Sequence, residues 1–312
     1  MKMKILVTGG AGYIGSVLVP MLLNNGHEVI VLDNFMYNQT SLFDCCNNKK
    51  LTIIRGDARD TKLINKLTHD LDFIIPLACI VGAPACDRDP IAATSTNLEA
   101  IKMLMRTRSR GHCVIFPNTN SGYGIGQSGI YCDENTPLNP ISLYGKMKVE
   151  AEQFILRSGN AIVLRLATVF GISPRMRLDL LVNEFVYKAV YDRYLILFEA
   201  HFKRNFIHVR DVALAFMHCM NNFERMKDQV YNVGLSDANL SKWELCEKIK
   251  EQLPDFYFVE ASIGEDPDKR NYIVSNEKIE KTGFMPQVSL QDGITELIKG
   301  FQVIRPKQFR NV

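Results

Sequence analysis

A run of small residues, Gly9-Gly10-Ala11-Gly12-Tyr13-Ile14-Gly15, constrains this chain more than any other feature, because of what stands on either side of it. Lys4-Ile5-Leu6-Val7-Thr8 reads as a short strand running into the first glycine, and residues 16–23 carry helical spacing. Few architectures open with a strand, a tight turn and a helix in that order. The spacings Gly10-x-Gly12-x-x-Gly15 and Gly9-x-x-Gly12-x-x-Gly15 fit equally well. Either lets the backbone pass close to a pyrophosphate while the helix N-terminus offers it N–H donors. The next strand, residues 28–32, ends in Asp33, eighteen residues after Gly15, where a carboxylate would accept hydrogen bonds from both hydroxyls of a ribose. That carboxylate would repel a 2′-phosphate. The sequence therefore predicts a dinucleotide site that prefers NAD to NADP.

Further apolar runs at 51–54, 73–77, 113–116 and 161–166 alternate with helix-spaced segments such as 91–105 and 143–156. Strands alternating with helices imply a parallel sheet, so the predicted fold class is α/β: a Rossmann-type doubly wound parallel sheet with a smaller α/β substrate-binding domain. Pro76 is tolerable only near a strand end, where its missing N–H is not needed. After Gly171 the alternation stops, and 173–177 followed by 180–190 reads as a loop and a helix outside the sheet. A helix at 212–220 and a strand at 230–233 return to it. The expected division is 1–170 with about 206–235 for the dinucleotide-binding domain, and about 171–205 with 236–312 for the smaller one.

Composition removes several function classes. The chain has 312 residues, 46% hydrophobic and 23% charged, which suits one large core or two unequal domains. A net charge of +3 on mixed-sign segments forms no basic stripe, so nucleic acid is not an expected partner; Lys203-Arg204 with Arg210 is a local anion site at most. No Cys-x-x-Cys pair occurs among the eight cysteines, and His112-Cys113 and His218-Cys219 lack further ligands, so free thiols and no metal are expected. Nothing approaches about 18 uninterrupted apolar residues, and no apolar leader precedes the first strand, so the expectation is a cytoplasmic protein without a membrane partner.

The candidate chemistry centres on Tyr144-Gly-Lys-Met-Lys148. Positions four apart share a helix face, and a cation beside a phenol favours the phenolate, so the pair can form a proton acceptor near neutrality. Alone, the same spacing describes an ordinary solvated face. The strand at 113–116 points its carboxyl end at Asn118-Thr119-Asn120-Ser121, and ligands of open parallel sheets collect at such ends. There the Thr119 hydroxyl either shares the substrate oxygen with Tyr144 or serves a turn. Asp57 either meets the adenine edge or caps the helix that follows.

Thr8-Gly9-Gly10-Ala11-Gly12-Tyr13-Ile14-Gly15, Asp33, Gly56-Asp57, Asn118-Thr119-Asn120-Ser121-Gly122-Tyr123-Gly124, Tyr144 to Lys148 and Arg204 to Asp211 together resemble the extended short-chain dehydrogenases, the NAD-dependent epimerase/dehydratase family acting on nucleotide sugars. The resemblance covers nearly the whole chain in the right order. It implies that Tyr144 removes the proton of a sugar hydroxyl, usually at C4, that Lys148 holds the ribose and lowers the tyrosine pKa, and that Thr119 orients the oxygen. For the cofactor it implies Gly9, Gly12, Tyr13, Ile14, Gly15, Asp33, Asn34, Asp57, Ala58, Leu77 and Ala78, with Tyr144 and Lys148. For the nucleotide sugar it implies Asn120, Ser121, Arg175, Asn183, Arg204 and Arg270, the two last as diphosphate contacts unless they are surface ion pairs. A homodimer or homotetramer is implied in the same way.

Departures from the pattern narrow the reaction. The family's 4,6-dehydratases carry Asp-Glu directly after the threonine as acid and base, whereas Asn120-Ser121 offers neither, so elimination of water is not expected. Asn118 replaces a common serine, and Pro76 stands where histidine is frequent. Three reactions fit: oxidation at C4 with release of a keto-sugar, oxidation followed by return of hydride to the other face, and reduction of a supplied 4-keto sugar. Asp33 speaks against the last. The segment 173–183 with 118–124 also resembles GDP-heptose 4-dehydrogenases of bacterial capsule synthesis, which gives GDP-sugars a slight preference. The competing class is a non-catalytic dinucleotide-binding regulator.

Overall fold

The computed structural model describes residues 2–264 and 269–304. Its strands are β1 (Lys4–Thr8), β2 (Glu28–Asp33), β3 (Leu51–Arg55), β4 (Phe73–Pro76), β5 (Cys113–Thr119), β6 (Tyr131–Cys132), β7 (Ala161–Leu166), β8 (Thr168–Phe170), β9 (Tyr194–Leu197), β10 (Lys203–His208), β11 (Gln229–Val233), β12 (Asn239–Ser241), β13 (Tyr257–Glu260) and β14 (Ile273–Val274). Seven of them form one sheet in the order β11-β7-β5-β4-β1-β2-β3, every neighbour parallel. The chain leaves β1 outward through β2 and β3, then crosses back to place β4 on the other side of β1. That reversal opens a crevice at the carboxyl ends of β1 and β4.

Continuous apolar strands are what a sheet covered on both faces requires. On one face Ile5, Val7, Val29, Val31 and Ile75 pack against Leu18 and Leu22 of the helix Gly15–Asn24 and Val212 and Phe216 of the helix Val209–Asn221. On the other, Leu6, Leu32, Ile74 and Phe116 meet Ile64, Leu104, Met147 and Ile155. Burying each such side chain is worth about 1.5–3 kcal/mol, so enclosure rather than strand propensity fixes the register. A third core around Phe170, Val182, Phe206, Phe256 and Phe301 lies outside the large sheet. Small pairings surround it: β12-β10-β8, β13-β9 and β14-β6. The expected division at 205 and 206 falls inside β10, and β6 pairs with β14 from the far end of the chain.

Two expected elements differ in extent. The predicted helix over 91–105 is three pieces, Pro90–Thr94, a π-turn Ser95–Glu99 and Ala100–Thr107. The wide turn has a cause: it carries Asn97, whose amide donates to the Ile80 carbonyl at 2.8 Å and accepts the Ile80 N–H at 2.8 Å, tying down the loop after β4. β5 runs on to Thr119 instead of stopping at 116, because its ladder with β7 continues through Thr119↔Leu166. Its ladder with β4 ends at Val114, which leaves room for Pro117. Pro76 closes β4, as the sequence requires. All eight cysteines are free. Among the described residues no helix is long and apolar enough to cross a membrane, and no group of His, Cys, Asp and Glu could hold a metal.

Candidate active site

At the crevice the backbone of β1 nearly touches the chain leaving β4. Leu77 N–H donates to the Thr8 carbonyl at 2.8 Å and Gly9 N–H to the Leu32 carbonyl at 2.7 Å. Gly9 has φ +69°, and a Cβ there would stand 2.5 Å from Ala78 N; one on Gly15 would stand 2.5 Å from the Gly10 carbonyl oxygen. The turn is therefore built from glycine by necessity. Ile14 is the N-cap of the helix Gly15–Asn24, in which Ser16 N–H already bonds the Gly12 carbonyl at 2.9 Å and Val17 N–H the Ile14 carbonyl at 3.1 Å, so the N–H groups offered to a ligand are those before residue 16. Asp33, 7% exposed, is anchored beside this turn by the N–H groups of Ala11 at 3.0 Å and Phe35 at 2.8 Å and by Gln39 Nε2 at 3.2 Å. Burial raises its pKa, and those hydrogen bonds oppose the rise. A narrow cavity lined by Thr8, Ala58, Pro76, Ala78 and Thr96 continues the crevice.

These features fit a dinucleotide: a cradle without room for side chains, a helix N-terminus, an oriented carboxylate and an apolar slot. Asn34 is exposed, and its side-chain oxygen accepts the Met36 N–H. Asp57 does not cap the helix that follows; Asp60 does, accepting from Lys62 N at 2.9 Å and Leu63 N at 3.1 Å. Asp57 instead pairs with Arg59, which lies two residues on and holds its carboxyl below the usual range. The shorter approach wins because Arg59 offers both its N–H and its guanidinium.

Two expected contacts belong to the scaffold. Tyr13 is 7% exposed, and its hydroxyl donates to the Gly171 carbonyl at 2.7 Å, so only its backbone remains for the cofactor. Asn183, expected at the sugar, has its amide engaged within the protein: its oxygen accepts Gly171 N–H at 2.9 Å, and its nitrogen donates to the Arg177 carbonyl at 2.9 Å and the Tyr13 hydroxyl at 3.3 Å. Ser173 donates to the Tyr13 carbonyl at 2.7 Å. Together these bonds bolt the segment 171–183 onto the glycine turn. Arg175, also expected at the sugar, lies at the Asp33 end, its guanidinium 4.5 Å above the Tyr37 ring and its charge opposing the rise of the Asp33 pKa.

At the other end of the crevice the helix Leu143–Ser158 starts against the turn that follows β5. Ser142 caps it through Gly145 N–H at 3.1 Å. Gly145 faces that turn: a Cβ there would lie 3.0 Å from Pro140 Cβ and at an ordinary 3.4 Å from the Ser121 carbonyl oxygen. Thr119 Oγ1 donates to Ser121 Oγ at 2.9 Å and accepts Ser121 N–H at 3.1 Å, so the hydroxyl serves the turn. Arg270 Nη1 also donates to Ser121 Oγ, and its charge acts on Tyr144. Arg204, 3% exposed, is stacked 5.5 Å from the Tyr272 ring and donates to the Lys203 carbonyl at 2.9 Å. Neither arginine is a solvent-exposed surface pair. Asn120 is 1% exposed, and neither of its amide atoms has a hydrogen-bond partner among the described residues.

The electrostatics of the pair differ from the sequence expectation. Burial pushes the Tyr144 phenol up, Cys79 and Cys86 add to that, and Arg177 and Arg270 pull it down. Lys148 donates to the Pro117 carbonyl and stands 3.9 Å from the Phe116 ring centre. Burial lowers its pKa, with Cys79 and Glu152 opposing. For this phenol desolvation outweighs the two guanidinium charges that oppose it.

Sequence reasoning passed over two charged pairs here. Arg177 forks onto Asp179, with Nε on Oδ1 at 3.1 Å, and reaches Tyr144 and Tyr13 electrostatically. Nothing in the local pattern of 173–177 marks it. Glu152 pairs with Arg165 at 2.6 Å, both enclosed. Its position one helical turn beyond Lys148 is a signal that could have found it.

The model of the NAD dependent epimerase/dehydratase family matches residues 5–234. The chain is 28% identical over 308 residues to a putative UDP-glucose 4-epimerase of Methanocaldococcus jannaschii, covering 94% of this chain and 97% of that one. It is likewise 28% identical over 317 residues to UDP-glucuronic acid decarboxylase 1 of Arabidopsis thaliana, covering 96% and 70%. Among solved structures it is similar to UDP-glucose 4-epimerase of Thermotoga maritima, at 25% identity and a TM-score of 0.85 over 96% and 99% of the two chains. Pal from Bacillus thuringiensis shares the fold, with a TM-score of 0.86 at 23% identity over 97% and 100%. With the glycine cradle, the anchored Asp33 and a match over most of its length, the chain belongs to the NAD dependent epimerase/dehydratase family, which acts on nucleotide sugars.

Proposed function

We propose that this enzyme oxidises the C4 hydroxyl of a nucleotide-activated sugar, with Tyr144 as the proton acceptor. The observation that carries the reading is the convergence of Tyr144, Thr119, Ser121 and Arg270 at the carboxyl end of β5, beside the glycine cradle. NAD held in the glycine cradle would supply the hydride acceptor. The protein supplies the rest. Gly9, Gly12, Gly15 and the N–H groups at 13 and 14 would hold the pyrophosphate, Asp33 the ribose hydroxyls, and Lys148 the second ribose. Arg177 and Arg270 act on a phenol that burial disfavours as an anion and favour its phenolate form, which accepts the C4 hydroxyl proton as the hydride leaves the sugar carbon. Thr119 then turns its hydroxyl from Ser121 to the sugar oxygen. Arg204 and Arg270 bind the diphosphate.

Asn120-Ser121 leaves no titrating group to expel a C6 hydroxyl, so the keto-sugar is either released or reduced on its other face. A C6 carboxylate, by contrast, would lie β to the new ketone and leave as carbon dioxide without a dedicated acid. The relatives are named for UDP-sugars, whereas the resemblance of 118–124 and 173–183 favours a GDP-heptose and a place in bacterial surface polysaccharide synthesis. A panel of UDP-, GDP-, CDP- and dTDP-sugars, followed by NADH absorbance and product mass, decides among them. NADH accumulation marks a dehydrogenase, its absence with an inverted product an epimerase, and a product lighter by one water refutes the argument from Asn120-Ser121. Tyr144→Phe is expected to keep NAD and lose turnover at least about a hundredfold; near-normal turnover rules out the assigned base. A homodimer or homotetramer is the expected assembly, checked by light scattering.

A further inference from the structure

We infer that Glu152 is a positioning residue for Lys148: with Arg165 and Asn118 it forms a buried clamp beneath the Tyr144–Lys148 face that keeps the lysine's ammonium charged. The inference rests on the assignment of Lys148 made above. Tyr144, Lys148 and Glu152 follow at intervals of four along the helix Leu143–Ser158, so they share one face in successive turns. Lys148 and Glu152 are 4% and 3% exposed. β5 meets this face with consecutive residues: the Pro117 carbonyl accepts from Lys148 Nζ, and Asn118 Nδ2 donates to Glu152 Oε2. From β7, Arg165 closes a fork on the carboxylate, Nε to Oε2 at 3.1 Å and Nη2 to Oε1 at 2.6 Å, and Nη1 runs on to the Tyr123 hydroxyl at 3.0 Å. Asn118, the departure from the family's common serine, thus has a partner that its longer amide reaches.

Buried ion pairs are poor devices for stability, since desolvation offsets much of their attraction. This pair has another use. The titratable groups that act on Lys148 are Glu152 on its own helix and Cys79 after β4; Arg165 on β7 pairs with Glu152, Tyr144 precedes Lys148 by one helical turn, and Arg177 and Arg270 act on Tyr144. From β5, Phe116 and Pro117 touch Lys148. Cys79 is a thiol that burial keeps protonated, so Glu152 is the fixed negative charge that opposes the lysine's desolvation.

The test is the pH dependence of NAD binding, measured by calorimetry on the full chain from about pH 6 to about pH 10. The parent should lose affinity on the alkaline side as Lys148 gives up its proton. Glu152→Gln should lose it at a pH lower by about one unit or more, with neutral-pH affinity changed far less. Mere structural damage weakens binding at every pH without moving the turning point, and a folded Glu152→Gln with the parent's turning point overturns the clamp. Should the lone substitution unfold the chain by stranding Arg165, Glu152→Gln combined with Arg165→Met must still move the turning point acidward, by less because the lost guanidinium offsets part of the lost carboxylate, and an unmoved turning point is equally fatal. Lys148→Met separates the two readings. If it retains the parent's alkaline loss, the lysine assignment itself falls; if it abolishes that loss while Glu152→Gln behaves as the parent, only the clamp falls.

Discussion

Replacing Gly9 by alanine tests whether the cradle requires the absence of a side chain. The backbone there has φ +69°, a region that costs an L-residue about 1–2 kcal/mol. The added Cβ would lie 2.5 Å from Ala78 N, 2.7 Å from Ala78 Cα and 2.8 Å from Leu77 C. All three are backbone atoms of a segment tied to β1 by the 2.8 Å bond from Leu77 N to Thr8 O, so nothing can swing aside. Overpacking of that kind adds about 1–3 kcal/mol, for a total of about 2–5 kcal/mol. An unfolding entropy of about 2.1 cal/mol/K per residue converts this into a melting temperature lower by about 3–8 °C for a chain of this length. The strain can be relieved only by parting β1 from β4 at their carboxyl ends, which opens the crevice itself. NAD affinity should therefore fall at least about tenfold, about 1.4 kcal/mol. Gly26→Ala is the control: its φ is +82°, but the nearest atom to a new Cβ is the end of Lys50 at 3.5 Å. It should pay the dihedral cost alone, about 1–2 kcal/mol, and bind NAD as the parent does. Thermal unfolding and calorimetric titration read both quantities, and a Gly9 variant indistinguishable from the Gly26 variant in each would refute the reasoning.

Tyr13→Phe removes the donor to the buried Gly171 carbonyl and one of the partners of the Asn183 amide, and should destabilise the chain by about 1–3 kcal/mol; an unchanged melting temperature would show that the bolt is dispensable. Asp33→Ser removes the anchored carboxylate, so NAD should bind at least about tenfold more weakly and the preference over NADP should narrow, as competitive titration would show. Burial, helped by Arg210, lowers the His208 pKa to about 3; Glu296, 3.6 Å away, is engaged by Arg210 at 2.6 Å. The unfolded chain takes up a proton near pH 6.5 that the folded ring refuses, so this stability is complete above about pH 6.5 and declines by up to about 1.4 kcal/mol per unit as pH falls toward the folded value. His208→Asn keeps an acceptor for Arg210 N–H and should flatten that decline in urea unfolding series; an unaltered slope speaks against the assignment.

Much of the scaffold was legible because its signals are local. An apolar strand, a glycine turn with no tolerance for Cβ, and a second strand ending in Asp33 leave little freedom, and the parallel order follows from strands alternating with helices. The readings that changed turn on partners that the local pattern does not name. Asp57, offered by the sequence as a helix cap, is held by Arg59, and Asp60 takes the cap. Nothing near Asn97 announces a π-turn, whose cause is the Ile80 backbone seventeen residues earlier. Tyr13 and Asn183 have the composition of binding residues, yet they bond to each other and to Gly171.

By itself, then, the order of residues determined the layered α/β architecture, the cradle and the pairing of Tyr144 with Lys148 on one helical face, because hydrophobic period and backbone dihedral preference act over a few residues. Only the folded chain decided how much water each polar group loses and which charges stand beside it: the phenol driven up by burial, Arg177 and Arg270 brought to it from distant segments, and Glu152 enclosed with Arg165 behind Lys148. Desolvation and Coulomb attraction depend on distance in space, and that distance exists only once the sheet has closed over its helices.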